Sequence, residues 1–403
     1  MSLAILIDLD DTLLGNNFDE FLPHYLESFS KTVEPIVEPE KFVRALLSST
    51  QDMFDNRQPD RTLQEAFEAS FYPALNLDVD KFQAAAERFY AEVFPTLREL
   101  TYQKPAAVRL IEYAQKRGYT IAIATNPLFP MTAISQRLSW ANLSLDKFKY
   151  QLISSYETFH FAKPALSYFA EVMARLGWPE DSVIMVGDDL EKDILPARKL
   201  GLPTFWVNND GNDVQNGFEI PGVSGDFGDV LPWLQKIPQQ DLLPDYSSPA
   251  AMLAILRTTP AVLDTFCRHL PLELWKKRPR PDEWSLLEII CHLRDVDREV
   301  SKPRLQKVLN ENDPFIPGED TDPWAQERGY IDQNGLEALQ QFIIARLEML
   351  DMLESVKTEE WRRPARHAFF GRTTLAELVN IIAQHDRLHI RQIYQNLEVV
   401  APL

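Results

Sequence analysis

The sequence predicts an α/β domain with a Rossmann-like, doubly wound parallel sheet, followed by a separate all-α domain. In the first half of the chain, short apolar segments alternate with helical segments, which is the order expected for parallel strands joined by crossover helices. Beyond residue 249 the pattern changes to long helices. At 403 residues the chain is also too long for one ordinary hydrophobic core.

Five segments of the first half are predicted to be buried strands. They are short, almost entirely apolar, and bounded by Gly, Pro or polar residues, as expected for strands that are covered on both faces. They span residues 3–8, 119–124, 150–154, 182–187 and 203–207. Helical segments at about 104–117, 164–176 and 190–200 separate the later strands.

The chain between the first strand and the helix near residue 104 shows no strand pattern. It contains amphipathic helical patterns at about 17–31, 39–54, 62–72 and 78–94. An all-helical block inserted directly after a strand is typical of a lid over a site. We therefore assign residues 1–15 and 101–236 to the α/β domain and residues 16–100 to a helical cap.

A proline-rich stretch without periodicity, residues 237–248, is predicted to link the two domains. The second domain, residues 249–403, contains four long helical patterns at about 249–268, 285–310, 334–356 and 374–396. Ser285 with Glu288, and Thr374 with Glu377, are capping-box pairs that mark the starts of the second and fourth helices.

Composition excludes several classes of partner. The net charge of −19 argues against non-specific binding to nucleic acid or to an anionic membrane. We see no apolar run near the ~20 residues that cross a bilayer. Met1 leads straight into a strand, which leaves no room for a signal peptide, so we expect a cytoplasmic protein. We expect Cys267 and Cys291 to be buried, reduced thiols.

Polar residues with the chemistry of phosphoryl transfer lie close to the predicted strands. Open α/β sheets bind ligands at the carboxyl ends of their strands, so we expect these residues to gather at one edge. Two carboxylates one residue apart can provide a nucleophile and a proton-transfer group beside one Mg²⁺. The candidates are Asp8, Asp10 and Thr12 after the first strand, Thr125 after the second, Lys163 before Pro164, and Asp188, Asp189 and Asp193 after the fourth.

This set resembles the haloacid dehalogenase-like (HAD) hydrolase superfamily over residues 1 to about 235. The resemblance implies that Asp8 attacks phosphorus and forms an aspartyl phosphate. It also implies that Asp10 is the acid/base, and that Thr125 and Lys163 bind the phosphoryl oxygens and the nucleophile. Members that cleave carbon–halogen bonds lack an aspartate at the position of Asp10, which favours a phosphatase of a small phosphorylated metabolite. A fold retained only as a scaffold is the alternative.

The same resemblance implies a Mg²⁺ ion bound by Asp8, the backbone carbonyl of Asp10, and Asp188. Thr12, Asn126, Asp189 and Asp193 would have supporting roles, with Asp193 hydrogen-bonded to Lys163 and Asp189 an exposed loop carboxylate. The helical block resembles the family's C1 cap. Phe18, Phe21 and Tyr25 at its start could face the ligand, but we favour packing in the cap core, and we expect His24 and His160 to be structural or exposed.

Three histidines form a second candidate site. His385 and His389 lie four residues apart on the fourth predicted helix, so both imidazoles point to the same side. If that helix neighbours the second helix, His292 can join them around one metal ion. The segment from Glu283 to Asp297, with His385-x₃-His389, resembles the DinB/YfiT-like family over about 249–403.

The second resemblance implies a four-helix bundle whose metal ligands are His292, His385 and His389. Zn²⁺ or Ni²⁺ suits three neutral imidazoles, and Fe²⁺ is a further candidate. Characterised relatives include transferases that use a low-molecular-weight thiol. A metal-assisted hydrolase, or a bundle that only dimerises or senses metal, is an alternative. Arg362, Arg363, Arg366 and Arg372 could bind the carboxylates of a thiol, although a solvated basic loop is favoured, and His367 could be a fourth ligand.

Overall fold

The computed structural model describes residues 3–208, 214–215, 218–219 and 223–401. The chain divides into two compact units. The first comprises Met1–Val172 and Pro179–Asp245, and the second comprises Met173–Trp178 and Tyr246–Leu403. The residue limits predicted for the α/β domain, cap and linker stay a prediction.

The first unit is built on a six-stranded parallel sheet. Its strand order is β10-β7-β6-β1-β4-β5, so β1 lies at the centre between β4 and β6. The strands of this unit are β1 (Leu3–Ile7), β2 (Leu14–Asn16), β3 (Thr101–Gln103), β4 (Thr120–Ile123), β5 (Leu152–Ile153), β6 (Ser182–Gly187), β7 (Thr204–Val207), β8 (Val214–Gln215), β9 (Phe218–Glu219) and β10 (Val223–Gly225). The predicted doubly wound fold class is confirmed, and the five predicted strands are all present.

Burial on both faces explains why the central strands were recognisable. All five residues of β1 are buried, and Ile5 pairs in register with Ile121 of β4 and Ile184 of β6. Because the three strands are parallel and in register, the residues that follow them lie side by side at one edge. This edge carries Asp8, the Thr125 segment and Asp188.

Nine α-helices lie before residue 245 in the described part of the chain, and the last three residues of the seventh belong to the second unit. They are α1 (Phe18–Val33), α2 (Pro39–Asp55), α3 (Leu63–Leu75), α4 (Val79–Arg88), α5 (Pro105–Lys116), α6 (Met131–Trp140), α7 (Leu166–Arg175), α8 (Leu195–Leu200) and α9 (Phe227–Leu234). A π-helical turn, Phe89–Val93, and a 3₁₀ segment, Phe94–Leu100, follow α4, and a second π-helical turn, Leu190–Ile194, precedes α8.

The expectation that the cap region contains no strand was wrong at its two ends. β2 and β3 form an antiparallel pair in which Gly15 lies opposite Tyr102. The Tyr102 ring lies so close to Gly15 that any side chain there would overlap it. Three-residue strands are too short to show alternation in the sequence, and a glycine obscures the pattern further. The pair joins the entry and the exit of the helical block.

Aromatic side chains form the interior of the helical block. The rings of Phe29 and Phe89 stack with centroids 4.2 Å apart, and Tyr25 packs edge-on against Phe89 at 5.6 Å. Phe21 is fully buried. Phe21 and Tyr25 therefore pack in the core, as favoured from the sequence. The side chain of Phe18 lies outside the described residues. His24 is exposed, whereas His160 is buried against Glu171, with Nδ1 2.9 Å from Oε1.

The second unit is a bundle of four long helical stretches. These are α10 (Pro249–Arg268), α12 (Leu286–Val296) continued by a π-helical turn Asp297–Ser301 and α13 (Lys302–Asn310), α15 (Gly335–Glu354), and α16 (Leu375–Val400); short helices are α11 (Leu272–Trp275) and α14 (Trp324–Glu327). α10 packs on α15 and α16, and α12 packs on the same two helices. Both predicted capping boxes are present, at the starts of α12 and α16. Cys267 and Cys291 are buried and free.

A small sheet next to these helices was not predicted. It contains β11 (Phe315–Ile316), β12 (Pro364–His367) and β13 (Gly371–Thr374), in the order β11-β12-β13. Its strands have only two to four residues, which is too short for a recognisable strand pattern in the sequence. The sheet holds the basic loop that precedes α16.

One helix in the described chain is long and apolar enough to cross a membrane, which the sequence analysis did not anticipate. This helix is α10, and 67% of its most apolar stretch is buried inside the protein. Core helices of soluble bundles have the same composition, since they are apolar on several faces. The burial of α10 is that of a core helix.

Candidate active site and metal centre

Asp8 and Lys163 form a buried ion pair at the carboxyl edge of the main sheet. Nζ of Lys163 donates to Oδ1 of Asp8 at 2.7 Å and to Oδ1 of Asp193 at 2.5 Å. All three residues are nearly inaccessible to solvent. Burial alone would lower the pKa of Lys163, but the Asp193 and Asp8 carboxylates raise it above the ordinary value. Lys163 therefore stays charged and orients the carboxylate of Asp8.

Asp188 lies beside this pair and is fixed on two sides. Oγ1 of Thr12 donates to its Oδ1 at 2.7 Å, and Nε1 of Trp206 donates to its backbone carbonyl at 2.8 Å. One carboxylate oxygen from each of Asp8, Asp188 and Asp193 lies within 4.8 Å of the others. Burial, followed by the charge of Asp8, raises the pKa of Asp188 to about 7. Such a cluster of acids is stabilised when a divalent cation replaces the missing positive charge.

Thr125 and Asn126 lie just after β4, the strand that pairs with β1. The backbone carbonyl of Thr125 accepts hydrogen bonds from Oγ of Ser154 at 2.6 Å and from the Tyr168 hydroxyl at 2.8 Å. Oδ1 of Asn126 accepts from the backbone N–H of Lys163 at 3.2 Å. The turn after β4 is therefore held in place by two side chains, and Asn126 ties it to the segment that carries Lys163.

Asp189 has a local role in this structure. Its carboxylate accepts from the backbone N–H groups of Glu191 and Lys192 at 3.0 and 2.9 Å, which caps the following helical turn. It also pairs with the Lys192 ammonium at 2.7 Å. The backbone N–H of Asp189 donates to Oδ2 of Asp193 at 3.2 Å. Asp189 is thus a capping residue at the edge of the site.

Asp10 pairs with an arginine that was not predicted from the sequence. Arg137, on α6, donates to Oδ1 of Asp10 and is 1% exposed. Burial raises the pKa of Asp10 to about 6, although Arg137 opposes this rise. A carboxyl group that titrates near neutral pH can both donate and accept a proton during turnover. One signal could have revealed Arg137, namely a lone charge on the apolar face of α6.

Gly187 provides a test of how tightly Asp193 is held. A Cβ at this position would overlap Oδ2 of Asp193 and lie 2.6 Å from its Cγ. Asp193 cannot move away without losing its bond to Lys163. We expect Gly187→Ala to lower kcat/KM on an aryl phosphate by about tenfold to a hundredfold, because it displaces the lysine and its carboxylates. We expect a destabilisation of about 1–3 kcal/mol in urea unfolding.

Gly228→Ala is the matched control, because a Cβ at Gly228, in α9, meets no atom within 4 Å. This control should keep both the activity and the stability of the wild type. Equal activity of the two variants would contradict the tight packing around Asp193.

The three histidines of the second unit converge through the same ring atom. Nε2 of His385 lies 3.1 Å from Nε2 of His292 and 3.1 Å from Nε2 of His389. Two imidazoles bound to one ion at about 2.1 Å hold their nitrogens about 3.0–3.4 Å apart. Both observed distances are therefore those expected of nitrogens bound to one divalent ion, and one ligand atom from each of the three rings lies within 4.8 Å of the others.

The protonation of the three rings also suits metal binding. Burial, and then the neighbouring imidazoles, lower the pKa of His292 to about 2 and that of His385 to about 3. Burial lowers the pKa of His389 as well. Its Nδ1 lies 3.1 Å from Oε1 of Gln392, which accepts only if Nδ1 carries the proton, so Nε2 is left free as a ligand atom. The Trp284 ring lies against His292 and His389, at 4.8 and 6.0 Å between centroids.

His367 is not part of this group. Its ring packs against Phe369 and Phe370 of the loop between β12 and β13, and its Nδ1 accepts from the backbone N–H of Phe369 at 3.2 Å. Two of the basic residues nearby are engaged locally: Arg363 donates to the backbone carbonyls of Val308 and Glu311. Arg366 pairs with Asp313 at 3.2 Å.

A buried ion network lies next to the histidines. Arg346 of α15 is fully buried and donates to Asp297 at 2.7 Å and to Asp386, the neighbour of His385. Asp386 also accepts from Oγ1 of Thr259 at 2.6 Å. The network thus ties α16 to α10, α15 and the end of α12, and it fixes the rotation of the helix that carries two histidines.

Removing the central cation of this network should be costly. We expect Arg346→Met to destabilise the second unit by about 3–5 kcal/mol, because two buried carboxylates lose their counter-charge. Urea unfolding followed by circular dichroism measures the loss. Lys302→Met, which breaks a largely exposed pair with Glu348, should cost less than about 1 kcal/mol. A similar loss of unfolding free energy in both variants would show that the buried charge of Arg346 does not stabilise the second unit.

Comparisons with known proteins match the two halves of the chain to two different families. Residues 3–201 match the family model of the haloacid dehalogenase-like hydrolases, and residues 255–393 match that of the DinB superfamily. The ribulose-1,5-bisphosphate 5-phosphatase of Halopiger xanaduensis is 37% identical over 100 residues, which are 25% of this chain and 40% of that protein. The glyceraldehyde 3-phosphate phosphatase of Methanocaldococcus jannaschii is 29% identical over 103 residues, covering 26% and 43%.

The chain therefore spans 40% and 43% of the length of these two relatives. Among solved structures, YfiT from Bacillus subtilis, described as a probable metal-dependent hydrolase with an unusual four-helix bundle topology, aligns with 41% of this chain and 90% of YfiT, at 17% identity and a TM-score of 0.35. The two family matches confirm both resemblances seen in the sequence. Residues 3–201 are therefore identified as a haloacid dehalogenase-like region, and residues 255–393 as a DinB-like region.

Proposed function

We propose that the first unit is a Mg²⁺-dependent phosphatase that hydrolyses a small phosphorylated metabolite through an aspartyl-phosphate intermediate on Asp8. One observation carries the proposal: the buried Lys163 binds Asp8, and one carboxylate oxygen from each of Asp8, Asp188 and Asp193 lies within 4.8 Å of the others. The two curated relatives named above are phosphatases of small phosphorylated compounds, which supports the same reaction class.

Each residue then has a defined step. A carboxylate oxygen of Asp8 forms a bond to phosphorus while the bond from phosphorus to the ester oxygen breaks. Asp10 gives its proton to the departing oxygen and afterwards takes one from the water that attacks the aspartyl phosphate. Lys163 and the hydroxyl of Thr125 would stabilise the charge on the phosphoryl oxygens. The products are the free alcohol and inorganic phosphate.

The acidic cluster fits Mg²⁺ by its donor atoms. The ion prefers oxygen ligands and keeps several waters, and the proposed ligands are Asp8, the backbone carbonyl of Asp10, and Asp188. Burial and the neighbouring Asp8 raise the pKa of Asp188, and a bound cation would favour the ionised form of these acids. When bound, Mg²⁺ would neutralise phosphoryl charge that the protein's own residues leave uncompensated.

A metabolite screen on the full chain tests this function. Inorganic phosphate release should be detected from one or more phosphate monoesters with added Mg²⁺ and should be abolished by EDTA. Turnover of no ester at any Mg²⁺ concentration, or turnover that persists in EDTA, would contradict the proposal.

For the second unit we propose a divalent metal site formed by His292, His385 and His389, which suits Zn²⁺ or Ni²⁺ and also accepts Fe²⁺. The spacing of the three Nε2 atoms is the observation that favours it. With three ligands on one face, positions stay open for water or a substrate atom, and a bound ion would lower the pKa of that group. Metal analysis of the purified full chain by mass spectrometry tests the site.

A further inference from the structure

Two buried polar side chains lie beside Asp10. Asn16 is 5% exposed, and its amide acts on Asp10 by lowering the pKa of that carboxyl. Arg137 is 1% exposed, and its Nε is buried without a hydrogen-bond partner. Buried polar atoms in native proteins are almost always satisfied, so unpaired atoms need an explanation such as a ligand. Both residues contact Asp10, the proposed acid/base.

Arg137 is held by apolar surfaces rather than by polar ones. Its guanidinium lies 5.1 Å from the Phe21 ring centroid, in the first cap helix, and 5.3 Å from that of Phe129. Among the described residues Asp10 is the only carboxylate that pairs with it. A guanidinium has five N–H donors, and a buried one is costly unless its charge is compensated. One shared carboxylate oxygen uses little of this capacity.

The pairing with Asp10 also conflicts with the proposed chemistry. Asp10 has to face the ester oxygen when it transfers its proton, and in that position it no longer serves as the counter-charge of Arg137. An anionic group supplied by the substrate would restore the balance and would leave Asp10 free. Arg is well suited to this role because its planar fork matches a carboxylate or a phosphate.

We propose that Arg137 binds a second anionic group, a carboxylate or a phosphate, on the alcohol side of the substrate, and that the phosphatase therefore prefers doubly anionic substrates. The Asn16 amide carries two N–H donors, and we assign one of them to the same anionic group. The rings of Phe21 and Phe129 exclude water from the contact, which strengthens it. This inference rests on the proposed phosphatase function and specifies its substrate class.

Three matched monoesters separate the sources of the second charge. Glycerol phosphate has no second anionic group. Phosphoglycerate has a carboxylate as its second anionic group, and glycerol bisphosphate has a second phosphate. We expect the wild-type full chain with Mg²⁺ to show a kcat/KM at least about tenfold higher for one or both doubly anionic esters than for glycerol phosphate. Arg137→Met should remove this preference, and Arg137→Lys should restore part of it. A purely structural role of Arg137 would lower the rates for all three esters together and leave their ratio unchanged.

Binding measurements on Asp8→Asn need no turnover, so they test the role of Arg137 separately from the phosphatase activity. Calorimetry should show tighter binding of the doubly anionic ester to Asp8→Asn than to the double variant Asp8→Asn/Arg137→Met. Turnover without any charge preference would overturn the inference and keep the phosphatase. Arg137-dependent binding with no turnover in the wild type would support the inference and overturn the phosphatase. Neither turnover nor binding would overturn both.

Discussion

Asp8→Asn will lower the turnover of the full chain on an aryl phosphate by at least about a thousandfold. The substitution keeps the shape of the side chain and its distance to Lys163, which is 2.7 Å in the wild type. It replaces the carboxylate nucleophile by an amide, which has no anionic oxygen to attack phosphorus and form an acyl phosphate. Initial rates with saturating Mg²⁺ measure the loss.

Asp146→Asn is the control for this variant, because Asp146 is exposed on a loop distant in sequence from every proposed ligand. It should retain the wild-type rate. Near wild-type activity of Asp8→Asn, with its fold intact by circular dichroism, would contradict the nucleophile assignment and would point to direct attack by water.

His385→Ala will remove the metal from the second unit and lower its affinity by more than about a hundredfold. Nε2 of His385 lies between the other two ligand atoms, 3.1 Å from each, so its loss leaves two nitrogens that no longer define one face. Outer-shell partners alone change metal affinity by about 10–100-fold, and loss of a direct ligand should exceed that. Metal content after dialysis, followed by titration with Zn²⁺ and Ni²⁺, measures both effects.

The matched control is His24→Ala, since His24 is exposed on the first cap helix and belongs to neither site. Its metal content should equal that of the wild type, and the phosphatase rate of His385→Ala should stay unchanged if the sites act independently. Equal metal content in both histidine variants would contradict the three-histidine site.

Long apolar patterns made most of the fold predictable. The strand β6 is found at the predicted residues because each of its six positions is buried, so no polar residue interrupts the run. The start of α16 was predictable from Thr374 and Glu377, whose side chains satisfy backbone groups of the first turn. Local chemistry determines such features, and a single sequence displays it directly.

Features that depend on distant partners were not predictable. β2 exists because it pairs with β3, almost ninety positions later in the numbering, and neither strand has a pattern of its own. Arg137 and Asp10 are 127 residues apart in the chain, and they meet where α6 packs against β2 and β3. By contrast, Lys163 and Asp8 were linked through a family resemblance, because the motifs that carry them are short and ordered along the chain.

Trapping the phosphorylated enzyme tests directly whether Asp8 forms an aspartyl phosphate. The full chain is quenched in acid during turnover of a good substrate with Mg²⁺, digested, and analysed by mass spectrometry. If Asp8 is the nucleophile, we expect a phosphoryl group on the peptide that contains Asp8. This group should be labile to hydroxylamine and absent from Asp8→Asn. Steady turnover with a phosphoryl group on another residue, or on none under conditions where its breakdown is slowed, would contradict it.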